Sequence, residues 1–392
     1  MKRFNILPLL LLFSISASGA DYYWVGGAGN WPDTTKWGPL SGAPTHHTQI
    51  PTADDRVIFD ANSFTGPGQV VTVNNQTIFC RDLIWDGVTG NPRFVGPADF
   101  SINIFGSLRL SAAMSFDFEG DVRFVAGDGG HEIDLAGRTL RRDVFFDGNN
   151  GTWTLQSDFI LNRLLTIAAG TLNTNDQEIR CQHLRVRATN PVMLNLGSSR
   201  LLATGIPFPD ATFPGIIYPV VEFFADMLTL NAANSTIELS SDNPFFQGRG
   251  MGDLALGTLL FSNTAGNGRL FSEPTLSFRF QRVEMRNDTR IEGMHNLGTL
   301  VLGPGKTFIF QAGRTYNLSA LIAEGSCITP IQLFSSSPGE TVTFVSNAAT
   351  ISGDYLSLRD IHGTGSANYT ADNSADLGNN NGKNPPHFRK GH

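Results

Sequence analysis

Apolar and polar residues alternate in short runs along most of the chain. Residues 100–104 (FSINI) and 152–155 (TWTL) alternate with a period of two, which in a β-strand points one set of side chains inward and the other toward solvent. Between such runs lie turn sequences such as DGNNG at 147–151, whose Gly and Asn residues tolerate a positive φ. This pattern predicts an all-β protein with many short strands and almost no helix.

Segments of similar sequence return along the chain. Residues 76–87 (QTIFCRDLIWDG) resemble residues 177–186 (QEIRCQHLRV) at an offset of 101, and residues 142–148 (RDVFFDG) resemble residues 81–87 at an offset of 61. Both offsets are near multiples of about 20 residues, the size of the smallest solenoid repeats. We therefore predict a right-handed parallel β-helix, a β-solenoid, with coils of about 20 residues.

The chain divides into four predicted parts. Residues 1–20 have the basic start, apolar run and small-residue end of a secretory signal peptide, so we expect an exported protein, extracellular, surface-bound or periplasmic. Residues 21–69 form an N-terminal cap and entry strand, residues 70–382 the solenoid, and residues 383–392 a C-terminal tail. No later stretch approaches the roughly 20 apolar residues of a membrane helix, so we expect no transmembrane segment.

Two stretches of the solenoid depart from the strand-and-turn pattern. Residues 205–227 are rich in proline and aromatic residues, and residues 244–256 begin with proline and are rich in glycine. Because proline removes a donor from the strand ladder, we predict that both stretches leave the coil as loops.

Motifs at both ends of the chain resemble a known group of proteins. The mature N-terminus carries YYWVGGAGNW at 22–31 and PTADDRVIFD at 51–60, and the C-terminal third carries YLSLRDIHGTG at 355–365 and NSADLGNN at 373–380. These motifs resemble a family of secreted repeat proteins typical of Bacteroidetes surface and adhesin-like products. The resemblance implies a solenoid that begins with an aromatic, glycine-rich opening and serves as a surface or adhesive module.

Three tryptophans, Trp24, Trp31 and Trp37, lie within this opening. The first coil of a solenoid exposes an unpaired strand edge and an open apolar core, which invites aggregation unless something covers it. We predict that the three indoles form an aromatic cap over that end. The alternative is a ligand-binding site in which the flat indole faces stack on sugar rings.

Charge and cysteine content narrow the range of partners. The net charge is −7 and the basic residues are scattered singly, whereas nucleic acid and anionic membranes require a concentrated basic surface. We therefore expect no nucleic-acid partner, and consider other surface macromolecules or polysaccharide instead. Cys80, Cys181 and Cys327 are too few and too far apart for a disulfide framework, so we interpret all three as buried apolar residues.

The sequence provides weak candidates for chemistry. Asp54, Asp55 and Asp60 form the densest acidic group, which favours turn capping with a calcium site as the alternative. Asp82 and Asp143 occupy matching positions in the apparent repeat, which would place them roughly 14 Å apart if coils stack at about 4.8 Å. A glycosidase needs two carboxyl groups about 5–9 Å apart. We assign no catalytic residue and no cofactor apart from the calcium alternative.

These observations favour a non-catalytic structural or adhesive module, secreted or at the cell surface, with contacts spread over a repetitive surface. The alternatives are a carbohydrate-binding protein and a polysaccharide lyase or glycoside hydrolase of the parallel β-helix type.

Overall fold

Short parallel strands stack coil upon coil into a β-solenoid of about 14 turns. The architecture is that of a computed structural model, which describes residues 19–74, 76–187, 190–209 and 217–381. One helical turn of the 3₁₀ type, Thr34–Lys36, is the only helix of the described residues. The predictions of an all-β solenoid and of almost no helix are therefore confirmed. Within the same residues no helix is long and apolar enough to cross a membrane.

Each coil crosses three faces, which we call faces one, two and three. Face one is a single sheet made of Ile78–Cys80, Ser101–Ile104, Asp121–Phe124, Val144–Phe146, Leu164–Ile167, His183–Val186, Val221–Phe224, Phe245–Arg249, Asn267–Ser272, Asp288–Glu292, Thr307–Phe310, Ile331–Ser335, Leu356–Arg359 and Ala375–Asp376. Face two contains Asp21–Trp24, Trp37–Gly38, Arg56–Phe59, Asp82–Trp85, Leu108–Arg109, His131–Asp134, Thr152–Leu155, Gly170–Asn173, Val192–Asn195, Val342–Ser346 and Ile361–Gly365. Face three contains Gly29–Asn30, Val70–Thr72, Arg93–Gly96, Ser115–Phe118, Thr139–Leu140, Phe159–Leu161, Ile179–Cys181, Arg200–Ala203, Thr350–Asp354 and Asn368–Asp372.

Five longer strands run through faces two and three together: Leu228–Leu239, Gly252–Phe261, Leu276–Met285, Met294–Leu302 and Thr315–Ala323. In the first of these, the first half pairs with Val192–Asn195 and the second half with Arg200–Ala203. A register shift between Ala232 and Thr236 marks the bend where the chain passes from one face to the next.

The core is filled by the inward side chains of alternating positions. On face one Ile102, Val122 and Val144 are consecutive cross-strand partners, and all three are buried. The spacing between partners on this face ranges from 18 residues, between Leu358 and Asp376, to 25. The exception is the step from Leu184 to Val221, which takes 37 residues. Apart from that step, the coils match the predicted length.

An aromatic cluster closes the N-terminal end, as predicted. Trp37–Gly38 pairs antiparallel with Asp21–Trp24, which pairs in parallel with Arg56–Phe59. The ring of Trp37 lies 4.9 Å from that of Trp24 and 4.7 Å from that of Trp31, and all three indoles are fully buried. A short antiparallel strand at the edge leaves little unpaired backbone for another chain to join.

The cap is continuous with the solenoid. The strand Arg56–Phe59, placed in the predicted entry region, already pairs with Asp82–Trp85 of the next coil. Sheet stacking thus begins before the boundary predicted at residue 69. Residues 1–18 of the predicted signal peptide and the predicted tail at 383–392 lie outside the described residues.

The matched segments behind the repeat prediction lie on different faces. Asp82–Trp85 belongs to face two, whereas Val144–Phe146, which follows Asp143, belongs to face one. Asp82 and Asp143 therefore do not stack on one face, in contrast to the expectation. Each accepts a backbone N–H from the next coil, that of Ser107 at 2.7 Å and that of Leu164 at 3.2 Å. The strands of all three faces alternate apolar inward residues with polar outward residues. Segments that belong to different faces therefore resemble each other in sequence.

The two predicted excursions have different outcomes. Residues 210–216 of the predicted excursion at 205–227 lie outside the described residues. On either side of them Phe208–Pro209 and Ile217–Tyr218 pair antiparallel in a hairpin outside the sheets of the coil, and the chain rejoins face one at Val221. Residues 244–256 stay in the coil, because they contain the face-one strand Phe245–Arg249 and the start of Gly252–Phe261. The glycines there form the corner, where Gly250 and Gly252 have φ values of 91° and 119°.

The three cysteines are free thiols. Cys80 and Cys181 are buried in the core, as predicted, but Cys327 is exposed, so the interpretation of Cys327 as a buried residue was wrong. Cys327 lies in the turn between Thr315–Ala323 and Ile331–Ser335, outside the alternating strand positions from which burial can be predicted.

Candidate binding site on face one

The predicted tryptophan site has no open ring face. Trp24, Trp31 and Trp37 pack edge to face against one another in the cap and have no solvent exposure. The indole N–H of Trp24 donates to the carbonyl of Gly27, and that of Trp37 to the carbonyl of Trp31. This packing serves the core and leaves no indole face on which a sugar ring could stack.

The predicted acidic group caps turns. The carboxylate of Asp55 accepts the backbone N–H groups of Ala20 and Thr52 and the Thr52 hydroxyl, at 2.7–2.9 Å. Asp60 accepts the backbone N–H of Asn62, and Asp54 is exposed. Among the described residues no three His, Cys, Asp or Glu side chains are grouped to hold a metal ion.

Replacing Asp55 by alanine should lower the free energy of unfolding by about 1–3 kcal/mol, because the backbone N–H and the hydroxyl of Thr52 lose a buried acceptor. Chelation with EDTA should leave the melting temperature of the unmodified chain unchanged. Thermal melts of both samples, with Asp54→Ala as the control, check this. A large drop on chelation would instead indicate a structural cation.

Arginine side chains stacked on aromatic rings distinguish face one from the other two faces. Every cation–π contact of the described residues involves an arginine on, or directly following, a face-one strand. Its ring partner lies on that face or in the hairpin. The pairs are Arg123 with Phe145, Arg185 with Phe208 and Tyr218, Arg187 and Arg249 with Phe224, Arg269 with Phe245 and Phe271, and Arg359 with Phe334. Stacking on a ring restrains the guanidinium plane and leaves its N–H groups at the edges.

Three of these arginines surround one buried carboxylate. Arg185, Glu222 and Gln247 are cross-strand partners in consecutive coils, and two residues further along their strands Phe224 pairs with Arg249. Arg187 lies on the other side of Phe224, with its guanidinium 5.0 Å from the ring centre. We call Arg185, Arg187, Arg249 and Glu222 the arginine cluster.

Glu222 points outward and is nevertheless 1% exposed. Its Oε1 lies 3.1 Å from Nε of Arg249, whereas its Oε2 lies 3.9 Å from Nε of Arg185, too far for a hydrogen bond. Burial raises the pKa of the Glu222 carboxyl, and the guanidinium groups of the cluster oppose that rise. Within the described part of the chain Oε2 of Glu222 and both Nε and Nη2 of Arg185 have no hydrogen-bond partner.

The hairpin supplies one wall of the cluster. The ring of Tyr218 lies 4.2 Å from the Arg185 guanidinium, and the ring of Phe208 packs edge to face on His183. His183 Nε2 lies 2.9 Å from the Ile206 carbonyl oxygen. Beside it lies a cavity of about 280 Å³ lined by Asp143, Arg163, Leu164, Gln182, His183 and Phe208. The long coil therefore forms a recess next to the arginine cluster.

Elsewhere on face one, three arginines lie within hydrogen-bond distance of carboxylate partners. Arg123 is paired with Asp147 at 2.8 Å, and Arg269 and Arg290 share Glu292 at 2.6 and 2.8 Å. In the arginine cluster three guanidinium groups surround one carboxylate, which is a local excess of positive charge on a chain of net charge −7. An oxyanion of a ligand would complete the pairing there.

Comparison with known proteins provides no further assignment: no family model matches the chain, and neither a curated protein nor a solved structure matches it. The resemblance to Bacteroidetes surface proteins stays a prediction.

Proposed function

We propose that the chain is an exported, non-catalytic structural and adhesive module that contacts other macromolecules through face one. The observation that carries the proposal is that every arginine–aromatic stack among the described residues lies on face one or its hairpin. Arginine and aromatic residues are enriched where proteins bind partners. A face that presents both in coil after coil offers many weak contacts to an extended ligand.

The solenoid architecture favours this role over catalysis. Its interior is filled by side chains, and the acidic residues considered as candidates for chemistry serve in turns and corners. A polysaccharide lyase or glycoside hydrolase is the alternative, and the arginine cluster beside its recess is where such chemistry would be sought. The carboxylate of Glu222 is ion-paired with Arg249. This pairing favours a role in ligand binding over a role as a general acid or base.

Binding of the full chain to immobilised acidic and neutral polysaccharides tests the proposal. A double variant of face one, Arg123→Gln with Arg269→Gln, should bind more weakly than the unmodified chain. The matched double variant Arg180→Gln with Arg279→Gln, which changes arginines on faces three and two, should bind normally. Equal losses in both variants would contradict the use of face one.

The same mixtures test the absence of catalysis. Assays for new reducing ends and for unsaturated uronates should give no signal above that of buffer. Turnover that disappears in a Glu222→Gln variant would overturn the non-catalytic proposal in favour of the lyase or hydrolase.

A further inference from the structure

The structure assigns to the arginine cluster a binding site for the acidic substituent, carboxylate or sulfate ester, of a polysaccharide. This assignment deepens the proposed function and rests on it only for the use of face one as the contact surface. The ligand class follows from the charge, the hydrogen-bonding capacity and the shape of the site.

Guanidinium groups outnumber carboxylates in the arginine cluster. Glu222 contacts Arg249 closely and Arg185 at 3.9 Å, and no ion pair joins Arg187 to a carboxylate within the described residues. An arginine whose guanidinium group is not fully paired with a carboxylate attracts an oxyanion most strongly where water is excluded. The side chain of Arg185 is only 15% exposed, so an acidic group that reaches it gains more than it would at an ordinary surface arginine.

Among the described residues Arg185 has hydrogen-bond donors without an acceptor. Nε and Nη2 of Arg185 are both buried and unpaired in the described part of the chain. Leaving such donors unpaired costs free energy. Because both atoms are shielded from solvent, a carboxylate or sulfate oxygen removes that cost only when the side chain of Arg185, which is 15% exposed, turns outward as the ligand binds. Arg187 projects from the next outward position of the same segment, so one acidic group can accept from both guanidinium groups.

Aromatic rings hold the guanidinium groups of the cluster in position before a ligand binds. Phe224 lies between Arg187 and Arg249, at 5.0 and 5.7 Å from their guanidinium carbons, and Tyr218 supports Arg185. Guanidinium groups held on rings lose less side-chain entropy when a ligand binds. Because face one is one continuous sheet through its described coils, the site accepts a substituent on a chain that extends along the solenoid. A polysaccharide fits this better than a small free acid does.

Nucleic acid is the competing class of polyanion. It is bound through many phosphate contacts and usually through aromatic faces open to its bases. Here most outward rings are covered by arginines, although Phe79 and Phe208 are partly open, and most other face-one arginines already have carboxylate partners. A site that holds one acidic substituent at a time therefore favours the polysaccharide.

Affinity measurements with the full chain test the assignment. The probes are polygalacturonate for a carboxylate, dextran sulfate for a sulfate ester, neutral dextran and single-stranded oligothymidine. We expect binding to one or both acidic polysaccharides and none to neutral dextran. The relative affinities of polygalacturonate and dextran sulfate identify the acidic group. Tighter binding of oligothymidine than of both acidic polysaccharides would overturn the assignment.

Single variants separate the arginine cluster from the rest of face one. Arg187→Gln and Arg249→Gln should each weaken binding about tenfold, since each removes a charge-assisted hydrogen bond. Arg279→Gln on face two should change it by less than about twofold. Glu222→Gln, which removes the competing carboxylate, should strengthen binding, an effect that a purely structural role of Glu222 would not produce. Melting curves of all variants check that they fold.

Two failures have different meanings. In the first case the acidic polysaccharide binds, the Arg123→Gln, Arg269→Gln double variant lowers the affinity, and Arg187→Gln leaves it unchanged. The arginine cluster is then not the site, whereas face one remains the contact surface. If no polysaccharide of the panel binds the unmodified chain, the assignment is overturned. If binding is lost equally from variants of all three faces, the proposed function fails as well.

Discussion

Replacing Trp37 by alanine is expected to lower the free energy of unfolding by about 3–5 kcal/mol, the range for removing a large buried aromatic side chain. Trp37 contacts Tyr22, Trp24, Trp31 and Phe59, and its strand covers the edge of face two. Loss of the indole opens the first coil, and the exposed edge should then promote aggregation. Urea unfolding and light scattering measure the two effects.

The matched control for the cap is Leu40→Ala. Leu40 lies three residues from Trp37 but is 68% exposed, so its truncation should change stability by less than about 0.5 kcal/mol. If the Trp37→Ala chain unfolded at the same urea concentration as the Leu40→Ala chain and stayed monomeric, the aromatic cluster would not serve as a cap.

Acidification from pH 7 to pH 4 is expected to remove roughly 3 kcal/mol of stability through His295 alone. His295 lies in the core next to Phe278 and Tyr316, at ring distances of 5.8 and 6.2 Å. Its Nε2 lies 2.9 Å from the carbonyl oxygen of Glu292, and its Nδ1 has no hydrogen-bond partner among the described residues. Burial lowers the pKa of His295 from 6.5 to about 4.

The direction of the pH effect follows from which state binds the proton. Between pH 6.5 and about 4 the unfolded chain protonates His295 and the folded chain does not, so stability falls as the pH falls through this window. Above it the contribution is fully present. His295→Gln should flatten this part of the profile of unfolding free energy against pH, and the exposed His46→Gln should not. A His295→Gln profile parallel to that of the unmodified chain would show that His295 does not titrate as described.

The strand pattern and the cap could be predicted from the sequence because each depends on local chemistry. Period-two alternation identifies the inward-facing rows directly. The position of three tryptophans at the start of a repeat fold, where an open core needs covering, favours a cap over the alternative of a sugar-binding site. The repeat offsets pointed to the right fold although they matched segments of different faces. Alternation is common to all three faces, so similarity identifies a strand but not its face.

The arginine cluster could not be found in the same way. Arg185 and Glu222 are neighbours because the 37-residue step between Leu184 and Val221 replaces an ordinary coil, and no periodic offset predicts its length. The basic residues look scattered along the chain because successive coils separate them in sequence. Stacking then places each outward side chain of a coil next to the outward side chain at the matching position of the following coil.

Chemical modification of arginines, read residue by residue by mass spectrometry, tests the central claim that face one is the contact surface. The full chain is treated with a dicarbonyl reagent with and without polygalacturonate. Our account predicts that the polysaccharide protects Arg187, Arg249 and Arg269 on face one, while Arg180 on face three and Arg279 on face two react as before. Equal protection on all three faces, or protection confined to Arg180 and Arg279, would contradict it.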